Sequence, residues 1–392
     1  MVTAKRLKGI GEYYFSQKLR EIDELNKQGK NIINLGIGSP DLPPHPEVIK
    51  VLQEESAKPN VHAYQSYKGS PVLRTAIKDW YKKWYNVELN ADTEILPLIG
   101  SKEGIMHICM TYLNEGDEVL VPNPGYPTYR SAVKLAGGVC VDYELTEANE
   151  YEPDFETLSK TDLSKVKLLF VNYPQMPTGI NGNRDLFERI VAFGRQHNIL
   201  IVHDNPYSFI LNDEPMSLLS IDGAKEVVIE LNSLSKSHNM AGWRMGMLCG
   251  AKERIDEVIC FKSNMDSGMF LPAQLAAAKA LSLGGDWYEE VNKVYNERRI
   301  KVFELLELLG CEYSTSQVGM FVWAKIPRQY KTGYEVSDEV LYNSNVFITP
   351  GGIFGTAGNG YIRVSLCGSI ERFEEAIGRI KPLAPKGEHG ED

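Results

Sequence analysis

The sequence predicts an α/β protein: a large unit with a mostly parallel sheet covered by helices on both faces, joined to a smaller α+β unit. Three observations carry this. From Ser101 to Gly250, short apolar runs alternate with amphipathic helical stretches, as in parallel sheets with crossover helices. Beyond Lys252 the alternation gives way to one long helical stretch, then strands and helices in mixed order. Polar and aromatic residues collect in or just after the loops that follow strands, where open α/β sheets bind ligands. Ser101, Tyr126, Asn172, Asp204 and Lys236 all fall there, and one site can gather them.

Residues 11–28 carry apolar positions at helical spacing, and Gln28-Gly29 ends them. A short strand at Ile32–Leu35 runs into Gly36-Ile-Gly38-Ser-Pro-Asp41. Two glycines after a strand hint at a dinucleotide fingerprint, but Asp41 occupies the third glycine position, so a turn or a backbone close to a ligand is expected. Pro46–Ser56 and Pro71–Tyr85 read as helices, separated by the polar aromatic loop Tyr64–Ser70. Then follow helix 101–113, strand 118–121, the Pro-rich turn Pro122–Pro127, a helix to Leu135, strand 138–143 and a helix near 154–159. The apolar strand Lys167–Asn172, helix 183–197, strand 199–203, strand 226–230 and the buried strand Met245–Gly250 complete the large unit. The second unit reads as helix 284–309, strands near 311–315 and 319–325, helix 334–343, strand 346–349, strand 360–366 and helix 369–380. The polar tail Lys386–Asp392 reads as disordered.

At 392 residues, roughly two or three domains are expected. Hydrophobic residues make up 43% and charged residues 24%, which suits a globular chain. The 42 basic and 52 acidic side chains leave a net charge of −10, so binding nucleic acid has no electrostatic support. No apolar run reaches the ~18 residues of a membrane span. The N-terminus lacks the apolar core of a secretory signal. The six cysteines are scattered with no CxxC pair, which predicts buried thiols in a reducing cytoplasm. The seven histidines show no ligand spacing, and no metal is expected.

The chemistry centres on Ser233-Leu-Ser235-Lys236, followed eight positions on by Arg244 within Gly242-Trp-Arg244-Met-Gly246. A lysine whose neutral amine can condense with an aldehyde, beside hydroxyls and an arginine suited to a phosphate, points to pyridoxal 5′-phosphate (PLP). A surface lysine in a Ser-rich loop is the rival reading, and the buried strand Met245–Gly250 argues against it. PLP needs a protonated pyridine nitrogen to draw electrons from a substrate carbon, and a carboxylate beside that nitrogen holds the proton. Asp204, ending an apolar strand, suits that task; taken singly it reads equally as a turn or cap aspartate. His203 points to the opposite face and reads as a packing residue. Tyr207 offers a phenol for the cofactor's 3-oxygen or is a core tyrosine. Tyr126, between Gly125 and Pro127, offers a face for ring stacking. Ser101 and Lys102 open a helix whose amides favour phosphate. Arg363 lies on an apolar strand and needs a partner, either a substrate carboxylate or a structural salt bridge.

In this order, from Tyr13 to Arg363, the chain resembles PLP-dependent aminotransferases of class I/II, with S-L-S-K-x-x-x-M-x-G-W-R-x-G the most specific stretch. The resemblance implies fold type I, the aspartate aminotransferase-like arrangement, with a large PLP-binding domain over 45–284 and a small domain from 1–44 and 285–392. It implies that Lys236 is the Schiff-base lysine and proton carrier. Ser233, Ser235, Arg244 and Ser101 bind the phosphate, Asp204 and Tyr207 meet the ring, and Gly38 and Arg363 line the substrate pocket. Tyr64 looks like the tyrosine that reaches a neighbouring subunit's phosphate, implying a homodimer with shared active sites. Gly36-Ile-Gly-Ser-Pro-Asp-Leu, Ile99-Gly-Ser-Lys-Glu-Gly, Pro124-Gly-Tyr-Pro and Lys262-Ser-Asn264-Met-Asp-Ser-Gly268 are similar to LL-diaminopimelate aminotransferases, which implies distal substrate contacts at Lys102, Tyr13 and a partner's Asn264. Small-molecule amino and 2-oxo acids are the expected partners, LL-diaminopimelate or aspartate among them. One departure stands out: Met176 precedes Pro-Thr-Gly where the family carries Asn, and a thioether cannot donate a hydrogen bond. Asn172 or Gln175 would have to replace it. A C–S β-lyase on the same scaffold and a non-catalytic PLP-binding regulator are the alternatives.

Overall fold

The computed structural model describes residues 3–8, 10–12 and 14–383. Tyr13 and the tail Lys386–Asp392 lie outside the described residues. The longer elements run α1 (Tyr14–Lys27), β1 (Ile33–Asn34), α2 (Pro46–Ser56), α3 (Pro71–Tyr85), β2 (Ile95–Leu98), α4 (Ser101–Tyr112), β3 (Glu118–Asn123), α5 (Pro127–Leu135), β4 (Val139–Glu144), α6 (Phe155–Leu158), β5 (Val166–Val171), α7 (Arg184–His197), β6 (Leu200–Asp204) and β7 (Val228–Ser233). They continue with α8 (Leu234–Ser237), β8 (Gly246–Gly250), α9 (Lys252–Lys262), α10 (Leu271–Leu281), α11 (Gly285–Leu308), β9 (Glu312–Tyr313), β10 (Phe321–Lys325), α12 (Gly333–Ser344), β11 (Val346–Phe347), β12 (Thr349–Pro350), β13 (Tyr361–Ser365) and α13 (Ile370–Ile380).

The large sheet has the order β2-β8-β7-β6-β5-β3-β4, parallel throughout from β7 to β4. Only β8 runs against its neighbours. Alternating residues feed two apolar layers. Leu168 and Phe170 pack under α4 and α5 with Ile105, Ile108 and Val133. Leu169 and Val171 face the other way, against the cluster holding Ile77 of α3, Ile190 of α7 and Ala277 of α10. Such strands, buried on both faces, are why the apolar runs were readable from composition alone.

Register decides where the chemistry goes. Asn123, Val171, Asp204 and Ser233 end β3, β5, β6 and β7 on one edge because those strands run parallel. Gly246 starts the antiparallel β8 opposite both Ser233 and Leu98. The Ser101 helix start, Arg244 and the Lys236 turn are thereby brought to the same edge. Gly246 makes this possible: a Cβ there would lie 2.7 Å from Ser101 N.

A second sheet, β12-β13-β10-β9, is antiparallel throughout and presents Arg363 from β13, opposite Trp323 and Thr349. Segment 35–38 is stitched to it: Leu35 O accepts from Ser365 N at 2.8 Å and Gly36 O from Thr349 Oγ1 at 2.9 Å. The strand expected over 346–349 divides at Ile348. Val346–Phe347 pairs with β1, and Thr349–Pro350 pairs with β13. Four elements, β2, α8, α9 and α10, carried no sequence expectation. β2 contains Pro97, which an edge strand tolerates and a central strand does not. The Ala-rich α10 is apolar on nearly every side, so it shows no stripe.

Among the described residues no helix is long and apolar enough to cross a membrane. His203 is more than the packing residue its alternation suggested. Its Nδ1 lies 2.9 Å from Glu230 Oε2 and its Nε2 3.1 Å from Tyr173 O. Glu230 is fully buried and also accepts from Tyr81 OH, Ser217 Oγ and Leu218 N. A buried carboxylate needs such a set of donors.

Candidate active site

A cavity of about 750 Å³ opens at the carboxyl edge of the large sheet, and the second sheet and α1 supply its other walls. Its lining includes Gly38, Ser101, Lys102, Tyr126, Asn172, Asp204, Tyr207, Ser233, Ser235, Lys236, Arg244 and Arg363. Twelve of the residues expected from sequence therefore share one chamber.

Lys236 stands on the one-turn helix α8, whose first residue follows β7 directly. Its Nζ donates to Gly38 O, and burial pulls its pKa down to about 8. An amine in that state is poised to be neutral, as a nucleophile must be. Beside it, Ser233 Oγ and Ser235 Oγ lie 2.8 Å apart. Arg244 adopts the left-handed backbone region at φ 57°, a conformation that costs roughly 1–2 kcal/mol for a non-glycine residue. That conformation directs the guanidinium under Gly100, where Nη2 reaches Ile99 O at 3.4 Å and Nη1 donates to Ala241 O at 2.8 Å. Gly100 is itself at φ 80°, and a Cβ there would fall on the Arg244 guanidinium. Having glycine as its N-cap, α4 starts with no side-chain cap, so its first amides face the chamber, with Ser101, available to an anion. Lys102 is held below its usual pKa by burial and then by Arg244. Lys102 follows Ser101 in the first turn of α4.

Asp204 ends β6 and is buried. Its Oδ2 accepts from Tyr129 OH at 2.8 Å, while its Oδ1 has no hydrogen-bond partner among the described residues. Burial pushes its pKa up to about 6, against the opposing pull of Tyr129 and His203. Tyr129, stacked on Phe170 with centroids 4.7 Å apart, had no place in the sequence expectations. The signal was there: it follows Tyr126 by three residues, one helical turn into α5. Tyr126 meets Tyr129 edge-on at 5.5 Å, and Tyr207 meets Phe321 edge-on at 5.9 Å. Burial holds the Tyr207 phenol protonated, far above its usual range.

Arg363 is buried on β13. Its Nη2 donates to Gly36 O at 2.8 Å and its Nη1 lies 3.2 Å from Met176 Sδ. The guanidinium carbon stands 3.8 Å from the Phe321 ring centroid and 4.6 Å from that of Phe354. Neither amide proposed to stand in for the missing Asn does so at Arg363. Asn172 Nδ2 donates to Asp204 O and its Oδ1 accepts from Met176 N. Gln175 is spent on Pro124 O and Thr178 and does not line the chamber.

Tyr64 and Asn264 do not line this chain's cavity. Tyr64 is 91% exposed, and Asn264 Nδ2 bonds to Cys260 O. One acidic cluster, Glu103, His107 and Asp266, has metal-like spacing. Lys262 Nζ already lies 2.7 Å from Asp266 Oδ1, so the cluster holds its own cation. Sequence reasoning named Tyr13 on the helix expected over 11–28 but missed Phe15, Leu19 and Arg20, which line the mouth. The i, i+4 spacing of Phe15 and Leu19 within the predicted helix was the available signal.

Comparison with known proteins finds relatives along nearly the whole chain. Residues 30–380 match the family described as aminotransferase class I and II. An LL-diaminopimelate aminotransferase from Dehalococcoides mccartyi is 40% identical over 97% of this chain and 98% of its own length. One from Moorella thermoacetica is 40% identical over 99% of this chain and all of its own. Among solved structures, apo-BacF from Bacillus subtilis superposes with a TM-score of 0.94 at 36% identity, covering 98% of this chain and 99% of that one. The fold is the aspartate aminotransferase-like α/β arrangement, the reaction is amino-group transfer, and the chain belongs to the class I and II aminotransferases.

Proposed function

We propose that the chamber binds pyridoxal 5′-phosphate and moves an amino group between an L-amino acid and a 2-oxo acid. The observation that carries this is that one chamber holds a buried amine, drawn down to about 8, and a buried Asp204 oxygen with no hydrogen-bond partner among the described residues. The residues fit the cofactor. Ser101, Ser233, Ser235, Arg244 and the uncapped start of α4 suit its phosphate. Asp204 Oδ1 suits a protonated ring nitrogen, Tyr207 the 3-oxygen, and Tyr126 the ring face. When bound, the cofactor supplies an aldehyde for covalent attachment and a ring that accepts electrons from the substrate carbon.

The chain's own groups then have distinct tasks. Arg363 holds the substrate α-carboxylate; Phe321 and Phe354 strip water from that pair and so strengthen it. Lys236 Nζ takes the proton from the substrate Cα and returns it on the other side of the transfer. Asp204 stays ionised opposite the ring nitrogen. Adding PLP to the purified chain should give a visible absorption band, and an amino acid should bleach it without any second substrate. A protein that stays colourless overturns the reading. Arg363→Ala is expected to lower kcat/KM by about 10–10², mostly through KM, as for loss of a charge-assisted pair. Gly100→Ala should weaken PLP binding at least about tenfold, because the methyl displaces Arg244; fluorescence titration reads it.

We place the two-part organisation at 45–284 and at 1–44 with 285–392, a homodimer as the working form, and the cytoplasm as its compartment. Support for the dimer comes from two touching loops rich in exposed apolar residues. Tyr64, Tyr67, Met265 and Phe270 are exposed there, and the His62 ring stacks on Phe270 at 6.1 Å. A second copy would cover them and bring its Tyr64 and Asn264 to this chamber. Sedimentation should give twice the 44.0 kDa chain mass. The free state of all six cysteines supports the compartment.

A further inference from the structure

We infer that the amino acid taken up here carries an apolar, preferably aromatic, side chain, and not a second charged end; the inference rests on the aminotransferase reading above. The chamber is polarised. Apart from Ser16 at the mouth, its hydroxyls lie with Asp204, Lys102 and Arg244 in the group that suits the cofactor. Around Arg363 the walls are Phe15, Leu19, Ile37, Met176, Phe321 and Phe354.

Position ties those six together. The Arg363 guanidinium carbon lies 3.8, 4.6 and 5.7 Å from the ring centroids of Phe321, Phe354 and Phe15. Met176 Sδ touches Nη1 at 3.2 Å. Ile37 sits between Gly36, whose carbonyl takes Nη2, and Gly38, which is pressed so close to Phe321 that a Cβ would overlap the ring. Leu19 follows Phe15 by one turn of α1 and therefore shares its face. A substrate held by its α-carboxylate on Arg363 must pass its side chain along these walls. A phenyl or thioether chain gains by leaving water there, whereas a charged terminus loses its hydration and finds no ionic partner among these six walls.

The mouth offers a charged substrate little. Arg20 and Asp23 line it, but both are exposed, and Arg20 is forked onto Glu12 with Nη2 at 2.6 Å from Oε2. Solvent-exposed pairs contribute weakly to affinity. Lys102, which the resemblance implies at a distal substrate group, follows Ser101 in the first turn of α4 and shares its edge of the chamber. Met176 completes the contrast: a polarizable thioether packs against rings and alkyl chains where an amide would have offered donors.

The test uses the PLP-loaded full chain and follows bleaching of its visible band with phenylalanine, methionine, alanine, aspartate and LL-diaminopimelate, each as the rate constant over the half-saturating concentration. Phenylalanine is expected to exceed aspartate and LL-diaminopimelate at least about tenfold, the discrimination one buried apolar group provides. If aspartate or LL-diaminopimelate equals or exceeds phenylalanine, the side-chain class is wrong while the aminotransferase reading stands. Should none of the five bleach the band, both fall. Leu19→Asp, at an exposed helix position that tolerates charge, should lower the phenylalanine-to-alanine ratio about tenfold, since alanine does not reach α1. An unchanged ratio overturns the proposed path of the side chain.

Discussion

Lys236→Ala is expected to remove the visible band of the PLP-loaded protein and to cut turnover by at least about 10⁴, the upper range for a positioned acid–base group. The loss should be this large because, among the described residues, the other lysine of the lining is Lys102, which opens α4 beside Ser101 and not the Lys236 turn. Folding should survive, since the change removes a buried amine and leaves the Ser233–Ser235 contact intact. Circular dichroism and a melting curve check that. Normal transamination by the variant would remove Lys236 from the mechanism.

The same amine gives a pH signature. Burial lowers it to about 8 in the folded chain, against 10.5 when exposed. PLP attachment to the cofactor-free protein needs the neutral form, so its rate should rise about tenfold per pH unit below 8 and level off above it. The stability sign follows from proton counts. Between about 8 and 10.5 the unfolded chain keeps a proton on Lys236 that the folded chain has released. This group therefore makes the cofactor-free protein more stable as pH rises through that window. In Lys236→Met both effects should vanish, which stopped-flow absorbance and melting curves against pH can follow.

How far the sequence carried the argument depends on the kind of signal. Buried parallel strands announced themselves, because a strand covered on both faces is an unbroken apolar run. The helices α2 and α3 were bounded correctly because His45 or Ser70 caps a helix that opens with proline. Lys236, Asp204 and Arg363 were legible because a charge at the end of, or inside, an apolar run demands a reason. What hid was information about the third dimension. Tyr129 looked like one more aromatic until Asp204 was seen 2.8 Å away. His203 looked like filler because nothing in the sequence links it to Glu230, which the parallel pairing of β6 with β7 places directly opposite. The cage around Arg363 joins residues 15, 176, 321 and 354. Such separations leave no local trace in spacing or composition.

Asp204→Asn should separate stability from catalysis. In the cofactor-free chain Asp204 is a buried carboxyl raised to about 6, with Oδ2 on Tyr129 and Oδ1 without a partner among the described residues. The folded state therefore holds a proton between about 4 and 6 that the unfolded state has released, and the protein loses stability as pH rises through that window. At pH 7 the folded chain bears a buried ionised carboxylate with no salt-bridge partner among the described residues, a cost that a neutral amide of the same shape avoids. Tyr129 OH can still donate to the amide oxygen. The cofactor-free variant should melt higher than the parent at pH 7 and lose the pH 4–6 dependence. Its kcat/KM should nevertheless fall by on the order of 10²–10³, because an amide does not hold a proton on the ring nitrogen. Tyr129→Phe provides the graded control: it removes the hydrogen bond that opposes burial, so the Asp204 carboxyl should titrate higher still and activity should fall by less than in the Asn variant. A variant that melted higher and kept full activity would show that Asp204 has a structural role only. One that melted lower would show that its carboxylate is already compensated in the empty chamber, and its role as partner of a positive ring nitrogen would lose its physical basis.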